Sequence, residues 1–195
     1  MSGLIARKKE DKRNRLLDAA YTLFIEKGVS STTIAEICTE ASIAKGTFYL
    51  YFKDKEDILR TLTKRISLNI LKTTYNQVKD TNLKFEEKIV SMAEHLLDLF
   101  QSDKDMLIVL KKDFIWPISE EEFLLTSDET LSSIRHDIEE YAKLSSLTEH
   151  QILARLYALI SMLCSISYSS IIDQFPDTID SLKPEVLSML KQSFK

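Results

Sequence analysis

The chain has 195 residues, and its apolar and charged fractions of 44% and 29% are ordinary values for a globular protein long enough to form a core. Three glycines and three prolines argue against a fold rich in hairpin turns and favour long helices joined by short connections. The net charge of −4 is unevenly spread, because residues 1–65 carry 13 basic and 9 acidic side chains whereas the other 130 carry 13 and 21. A basic first part on an acidic body predicts different partners for the two parts.

The same composition argues against several classes of protein. The N-terminal sequence lacks the apolar core of a secretory signal, and no stretch reaches the roughly 18 uninterrupted apolar residues of a membrane span. Cys38 and Cys164 have no metal-type spacing, so we expect structural thiols in a reduced, cytoplasmic protein without membrane partners. No arrangement of catalytic, metal-ligating or phosphate-binding residues is apparent. We therefore expect no enzyme, no cofactor and no metal site.

The first two predicted helices follow a basic segment, residues 1–9, which we expect to be an N-terminal tail. Apolar residues recur at helical spacing from Leu16 until Gly28, and a glycine in that place favours a helix end. The sequence SSTTIAEICTEA then opens a second, short helix. Thr32 or Thr33 can cap its first turn, and Glu36 stands three residues after Thr33, as in a capping box.

A third short helix is predicted over about residues 44–51, and Asp54 begins a long fourth one. Phe48 and Phe52 lie four positions apart, so both can face the core while their neighbours face outward. Two short helices joined by a turn, at about residues 33–52, form a helix-turn-helix, whose second helix can lie in the DNA major groove. The candidate DNA-binding residues are Thr33, Lys45, Gly46, Thr47, Tyr49, Tyr51, Lys53 and Lys55.

Each candidate has chemistry suited to DNA. Lys45 can donate to guanine O6 and N7, and Thr47 can contact a thymine methyl group or a phosphate. Gly46 has no side chain, so the backbone can approach the sugar-phosphate chain closely. The tyrosines and the other lysines can bind phosphates.

The rest of the chain continues the helical pattern. Further helices are predicted over about residues 85–99, 103–114, 127–144 and 149–173, and Pro184 is placed near the start of a last one that reaches Phe194. The helix at 149–173 is apolar nearly all round, which predicts a dimer interface made with the last helix. The interface candidates are Leu153, Leu156, Ile160, Leu163, Ser167, Val186 and Leu190.

Apolar and aromatic residues in the same part of the chain can line a ligand pocket between helices. The candidates are Met92, Phe100, Met106, Phe114, Trp116, Tyr157 and Cys164. Because a helical core of this size needs such residues in any case, a plain core role stays open for each of them.

The segment TTIAEICTEASIAKGTFYLYFKDKEDIL, residues 32–59, closely resembles the DNA-binding signature of the TetR family, and the preceding RNRLLDAAYTLFIEKGVSS resembles that family's first helix. Ala44 departs from the serine that many members have at the start of the recognition helix. The resemblance implies a homodimer with a DNA-binding domain over residues 10–70 and a helical effector-binding and dimerisation domain over 71–195.

These observations predict a transcriptional regulator that binds a palindromic DNA operator as a homodimer. A repressor released by a small apolar ligand is the expectation that the resemblance favours. Two alternatives stay open at this stage: a regulator without a small-molecule effector, and a helical binding or carrier protein that does not bind DNA.

Overall fold

The protein is described by a computed structural model over residues 2–110, 123 and 126–194. Every regular element within these residues is a helix, which confirms the all-α prediction. In chain order the helices are α1 (Ser2–Lys27), α2 (Ile34–Glu40), α3 (Lys45–Phe48), α4 (Lys55–Asn76), α5 (Phe85–Ser102), α6 (Lys104–Leu110), α7 (Glu129–Leu144), α8 (Glu149–Ile171) and α9 (Ile179–Ser193). The chain divides into two compact units, Met1–Arg65 and Ile66–Lys195, and α4 contributes to both.

The helix ends in the first unit follow the capping signals of the sequence. Gly28 ends α1 with a φ of +81°, a conformation that costs glycine little. Thr33 caps α2: its Oγ1 accepts a hydrogen bond from the Glu36 N–H, and Glu36 accepts one from the Thr33 N–H at 2.8 Å. Asp54 accepts a hydrogen bond of 2.7 Å from the first turn of α4.

The core of the first unit is built around two phenylalanines from the aromatic stretch. Phe48 is fully buried and Phe52 nearly so, and their ring centroids are 5.7 Å apart. Leu16 and Ile37 are also fully buried in this unit. The basic segment at residues 2–9, predicted as a tail, is instead the first part of α1, and its side chains from residue 4 onward are exposed.

The second unit is a helical bundle in which α5 packs against α8 and α9. Thr148 and Gln151 form the predicted capping box at the start of α8. The last helix begins earlier than predicted, because Thr178 caps it ahead of Ile179 and leaves Pro184 inside the helix. Two apolar clusters of buried residues form the core: Ile70, Ala93, Leu96, Leu97, Phe100, Leu107, Leu110, Leu163, Cys164, Ile179, Val186 and Leu190 in one, and Leu71, Tyr75, Val78, Phe123, Leu131, Ile134, Ile138, Ile152, Leu156 and Phe194 in the other.

This packing corrects most of the predicted dimer interface. Five of the seven candidates are at most 8% exposed inside their own chain: Leu156, Leu163, Ser167, Val186 and Leu190. The other two, Leu153 and Ile160, are partly buried and pack against the same clusters. A helix that is apolar nearly all round does not show in its sequence which face its own chain covers, and the prediction took the inner face of α8 for the outer one.

The length and composition of α8 would also allow it to cross a membrane, and it is the only such helix in the part of the chain that the structure describes. Core helices of soluble proteins often have the same property. Only 28% of its most apolar stretch is buried within the chain. One side of α8 therefore packs in the bundle while the other is left partly uncovered.

Candidate nucleic-acid interface and ligand cavity

The turn between α1 and α2 is held by a lysine from α4. The Lys55 ammonium group donates hydrogen bonds to the carbonyl oxygens of Val29, Ser30 and Thr32, at 2.7, 3.3 and 3.0 Å. An ammonium group has three N–H donors, so all of them have protein partners here. The prediction that Lys55 binds DNA phosphate is therefore corrected to a structural role in this conformation. Sequence alone could not reveal these carbonyl partners because they lie more than 20 residues away.

A second polar network lies at the start of α2. Lys27 forms an ion pair with Glu36, whose carboxylate also accepts hydrogen bonds from the Thr33 backbone and side chain. These partners, Lys27 first, lower the pKa of Glu36 to about 2. Thr33, a candidate DNA contact, is exposed and acts as the cap of this helix. Its hydroxyl already has a partner, so its part in DNA binding remains a proposal.

The turn between α2 and α3 fixes the direction of the short third helix. Ser42 adopts a φ of +52°, and the Ile43 N–H donates to the Cys38 carbonyl oxygen at 2.9 Å. Arg15 donates from α1 to the carbonyl oxygens of Ala41 and Ser42. Because α3 has only four residues and no side-chain cap at Ala44, these bonds and the buried Phe48 hold it in place.

The side chains around α3 form the surface expected to meet DNA, which we call the α3 surface. Lys45, Gly46, Tyr49 and Lys53 are exposed, and Thr47 and Tyr51 are half-buried. The Tyr49 ring packs edge-on against Phe48, with 5.4 Å between the centroids, so its orientation is supported from below. The structure thus brings a lysine and a glycine at the start of α3 close to a tyrosine at the C-cap of the same short helix.

The packing of the protein itself does not require a glycine at position 46. A Cβ atom built at this position would meet nothing within 4 Å, and the backbone φ is not in the left-handed region. Glycine inside a helix costs about 0.5–1 kcal/mol relative to alanine. The open space above Gly46 therefore suits a partner that approaches the backbone closely.

One exposed residue of this surface was missed by sequence reasoning. Leu50 is 75% exposed although it is large and apolar, and it lies between Tyr49 and Tyr51. An apolar side chain in that position can contact a thymine methyl group. The available signal was its place in an aromatic stretch where the two phenylalanines already fill the inward positions.

Two small apolar cavities lie inside the second unit. Their volumes are about 50 and 40 Å³; the first lies between α4, α5, α8 and α9, and the second between α4, α5, α7 and α8. Five residues line both: Leu71, Ile89, Met92, Leu156 and Ile160. The space is therefore an apolar interior in two adjacent parts, each large enough for one or two methylene groups, taking roughly 30 Å³ as the volume of a water-sized group.

A polar cluster closes one end of the smaller cavity. The Asp137 carboxylate accepts a hydrogen bond of 2.9 Å from the Tyr75 hydroxyl and another of 2.8 Å from the Lys88 ammonium group. Burial and this hydrogen bond raise the pKa of Tyr75. An apolar space with a few placed polar groups at its end is the usual character of a small-molecule site. No local sequence pattern indicates this cluster, because the three residues come from three different helices.

Comparison with known proteins identifies the class of the molecule. Residues 16–62, which include the helix-turn-helix, match the family model described as bacterial regulatory proteins, tetR family. The first part of the chain therefore contains a TetR-type DNA-binding domain. Two curated relatives from Bacillus subtilis (strain 168) are the HTH-type transcriptional regulator YerO, 31% identical over 57% of this chain, and the fatty acid metabolism regulator protein, 30% identical over 53%. The chain spans 39% and 53% of the lengths of these relatives.

The TetR-type fold extends over nearly the whole chain. A solved structure of the transcriptional regulator FadR from Bacillus subtilis in complex with stearoyl-CoA is similar over 90% of this chain and 96% of its own, with a TM-score of 0.56 and 20% identity. At that identity the likeness establishes the fold. It agrees with the helical second unit seen here, for which the family model gives no match.

The predicted pocket residues differ in whether they line a cavity, lie buried in the core or are exposed. Met92 lines both cavities, and Phe100 and Cys164 are fully buried in the first apolar cluster. Met106 is partly buried and packs against that cluster. Tyr157 is corrected: its side chain is 49% exposed, so it does not belong to an enclosed pocket.

The remaining two pocket candidates, Phe114 and Trp116, lie outside the described residues. Among the described residues, no group of three or more histidine, cysteine, aspartate or glutamate side chains is arranged to hold a metal ion. Burial raises the pKa of the Cys164 thiol to about 12, and Cys38 is also buried. Both thiols are therefore protonated, poorly reactive core groups at neutral pH.

Proposed function

We propose that the protein is a homodimeric transcriptional repressor that binds a palindromic operator through the α3 surface and is released by a small apolar effector. The observation that carries DNA binding is the open approach above Gly46, flanked by the exposed Lys45 and Tyr49. The fold itself does not require a glycine at this position. A glycine beside a lysine and a phenol is better explained by contact with the DNA sugar-phosphate backbone than by packing within the protein. The alternative of a carrier protein gives no reason for this combination.

The proposed dimer interface uses the outer face of α8 and α9. Ala154, Tyr157 and Ala158 are exposed on α8, and Met189 on α9 is 56% exposed. Small residues at 154 and 158 allow a second helix to approach closely, and Tyr157 and Met189 supply apolar area. A twofold dimer would place this face against its own copy, and would cover the apolar helix that one chain leaves mostly unburied.

The proposed effector site is the pair of apolar cavities in the second unit. Support comes from their nearly all-apolar walls and from the TetR-type neighbour that carries stearoyl-CoA. The cavities are too small for an effector of drug size in the present conformation, so a ligand would bind a conformer in which they are wider. A ligand that prefers one conformer shifts the population toward it.

The physical link between effector and DNA would be α4. Its residues Ile70, Leu71 and Thr74 line the larger cavity, and the same helix starts at Lys55, whose ammonium group holds the turn before α2. A wider cavity would displace α4 and so change the separation of the two α3 surfaces in a dimer. A coupling free energy of about 1–3 kcal/mol would weaken operator binding roughly five- to 150-fold.

The test begins with selection of bound DNA from a random library by the purified full-length protein. We expect an enriched site with twofold symmetry, because two identical α3 surfaces contact two half-sites. The Lys45→Ala variant should bind each half-site about five- to 150-fold more weakly, as expected for one lost base contact of about 1–3 kcal/mol per protomer. Selection that enriches no symmetric site would contradict operator binding by a dimer.

A further inference from the structure

The second unit has a large groove where four helices end. It lies at the start of α5, the end of α7, the start of α8 and the end of α9, and its volume is about 620 Å³. Its floor is aromatic: Phe85 and Tyr141 stack with 4.4 Å between their centroids, and Phe194 meets Phe85 edge-on at 5.8 Å. Leu144 stands on its rim and is 87% exposed. An open space of this size holds a small organic molecule.

Two cations that line the groove have no carboxylate partner among the described residues. Lys84 and Arg155 line it, and within the described part of the chain neither has a carboxylate at ion-pair distance. Arg155 uses one guanidinium nitrogen to donate to the Ser193 carbonyl oxygen, at 2.8 Å. An arginine and a lysine on an aromatic floor can bind a carboxylate or phosphate group.

The acidic residues of the groove are mostly neutralised already. Asp137 is paired with Lys88 at 2.8 Å, and Glu140 with Lys143 at 2.7 Å. Glu86 remains, as one carboxylate beside the two cations Lys84 and Arg155. The balance of unpaired charge in the groove therefore favours an anion over a cation.

The groove and the apolar cavities share walls. Phe85, Lys88 and Asp137 line both the groove and the smaller cavity, which in turn shares Met92 and four aliphatic residues with the larger one. Lys88 stands at the boundary with one N–H on Asp137, and two more donors are available. A molecule held in the groove is therefore next to the smaller apolar cavity. Met92, a flexible side chain, lines both cavities.

We propose that the effector is a single-chain amphiphile with an anionic head, bound with its head in this groove and its tail in the cavities. The head lies between Lys84, Lys88 and Arg155, and the tail passes Phe85 into the space around Met92, which widens to admit it. This assignment rests on the proposed function and specifies the ligand class of its effector site. The proposal also explains why the ion pair of Lys88 and Asp137 lines the smaller apolar cavity in place of further aliphatic side chains.

The test measures by calorimetry the binding of dodecanoate, octanoate, dodecanol and dodecyltrimethylammonium to the full-length protein without DNA. Each compound is used below its micellar concentration or its solubility limit. We expect dodecanoate to bind saturably, at least tenfold more tightly than the cationic amphiphile, and more tightly than octanoate because the tail is buried. Arg155→Met and Lys88→Met should each weaken dodecanoate at least fivefold. Lys104→Met, an exposed lysine on α6 outside the groove, is the matched control and should leave binding unchanged.

The outcomes separate this proposal from the repressor proposal. Equal binding of the three head groups, or wild-type dodecanoate affinity in both Arg155→Met and Lys88→Met, overturns the anionic site. Circular dichroism identifies a variant that has failed to fold, and the other variant then decides. Dodecanoate that binds as described but leaves a protein–operator complex intact in a mobility-shift assay supports the site and refutes effector release. Release by a neutral or cationic compound, with no dodecanoate binding, supports effector release and overturns the site.

Discussion

Replacing Lys55 with methionine tests whether this lysine supports the helix-turn-helix or binds DNA. The substitution keeps the aliphatic stem and removes three donors, leaving the carbonyl oxygens of Val29, Ser30 and Thr32 without their ammonium partner. A hydrogen bond to a charged group contributes about 1.5–3 kcal/mol when buried. Because Lys55 is half-buried and water can replace it in part, we expect a total loss of roughly 1–3 kcal/mol of unfolding free energy in the first unit.

The assay combines denaturant unfolding, amide hydrogen exchange in the turn before α2, and DNA affinity at several salt concentrations. Lys55→Met should unfold at lower denaturant and exchange the turn amides faster, while the slope of log affinity against log salt stays at the wild-type value. Lys53→Met is the control, because Lys53 is exposed and only its backbone N–H is engaged, with Asp57. It should leave stability unchanged and reduce the salt slope by about 1.8, the effect of one lost phosphate contact in each protomer of the dimer.

The opposite pattern would refute the reasoning. If Lys55→Met unfolds like the wild type and reduces the salt slope as Lys53→Met does, Lys55 binds phosphate and the three carbonyl contacts add nothing to stability.

Four further substitutions test other parts of the account. Gly46→Ala should keep or raise stability, by up to about 1 kcal/mol, and weaken operator binding; unchanged DNA affinity in a mobility shift would remove the reason given for this glycine. Phe48→Ala should cost roughly 3–5 kcal/mol in denaturant unfolding because it empties a fully buried site, and an unaltered midpoint would place Phe48 outside the core. Ala158→Glu should give a folded monomer by sedimentation at micromolar concentration, whereas the wild type is a dimer; a dimeric variant would place the interface elsewhere. Ser167→Ala should not destabilise the protein, because the buried Ser167 hydroxyl has no hydrogen-bond partner among the described residues, and a clear loss of stability in thermal melting would indicate one.

Local signals in the sequence were sufficient for the helix-turn-helix. The caps at Thr33, Asp54 and Thr148 depend on residues three positions away, so they can be recognised without tertiary information. The two inward phenylalanines also follow from helical spacing alone. For that reason the arrangement of α1 to α4 agrees with the prediction closely, apart from the shorter α3 and the helical start of the chain.

Features that depend on which elements meet could not be predicted in the same way. The inner and outer faces of α8 have similar composition, so the buried Leu163 and the exposed Tyr157 exchanged their expected roles. The cluster of Tyr75, Lys88 and Asp137 joins residues from three helices, and none of them belongs to a local motif. The partners of Lys55 are likewise set by the tertiary fold.

The central claim is that a dimer of this chain recognises a symmetric DNA site through its two α3 surfaces. The most direct measurement compares, at one fixed salt concentration, the affinity of the wild-type protein for the selected site with its affinity for the same fragment carrying one scrambled half-site. The account predicts that scrambling weakens binding about 30-fold or more, because one half-site supplies about half of the roughly 4–10 kcal/mol that separates specific from non-specific binding. Equal affinity for the two fragments would contradict it.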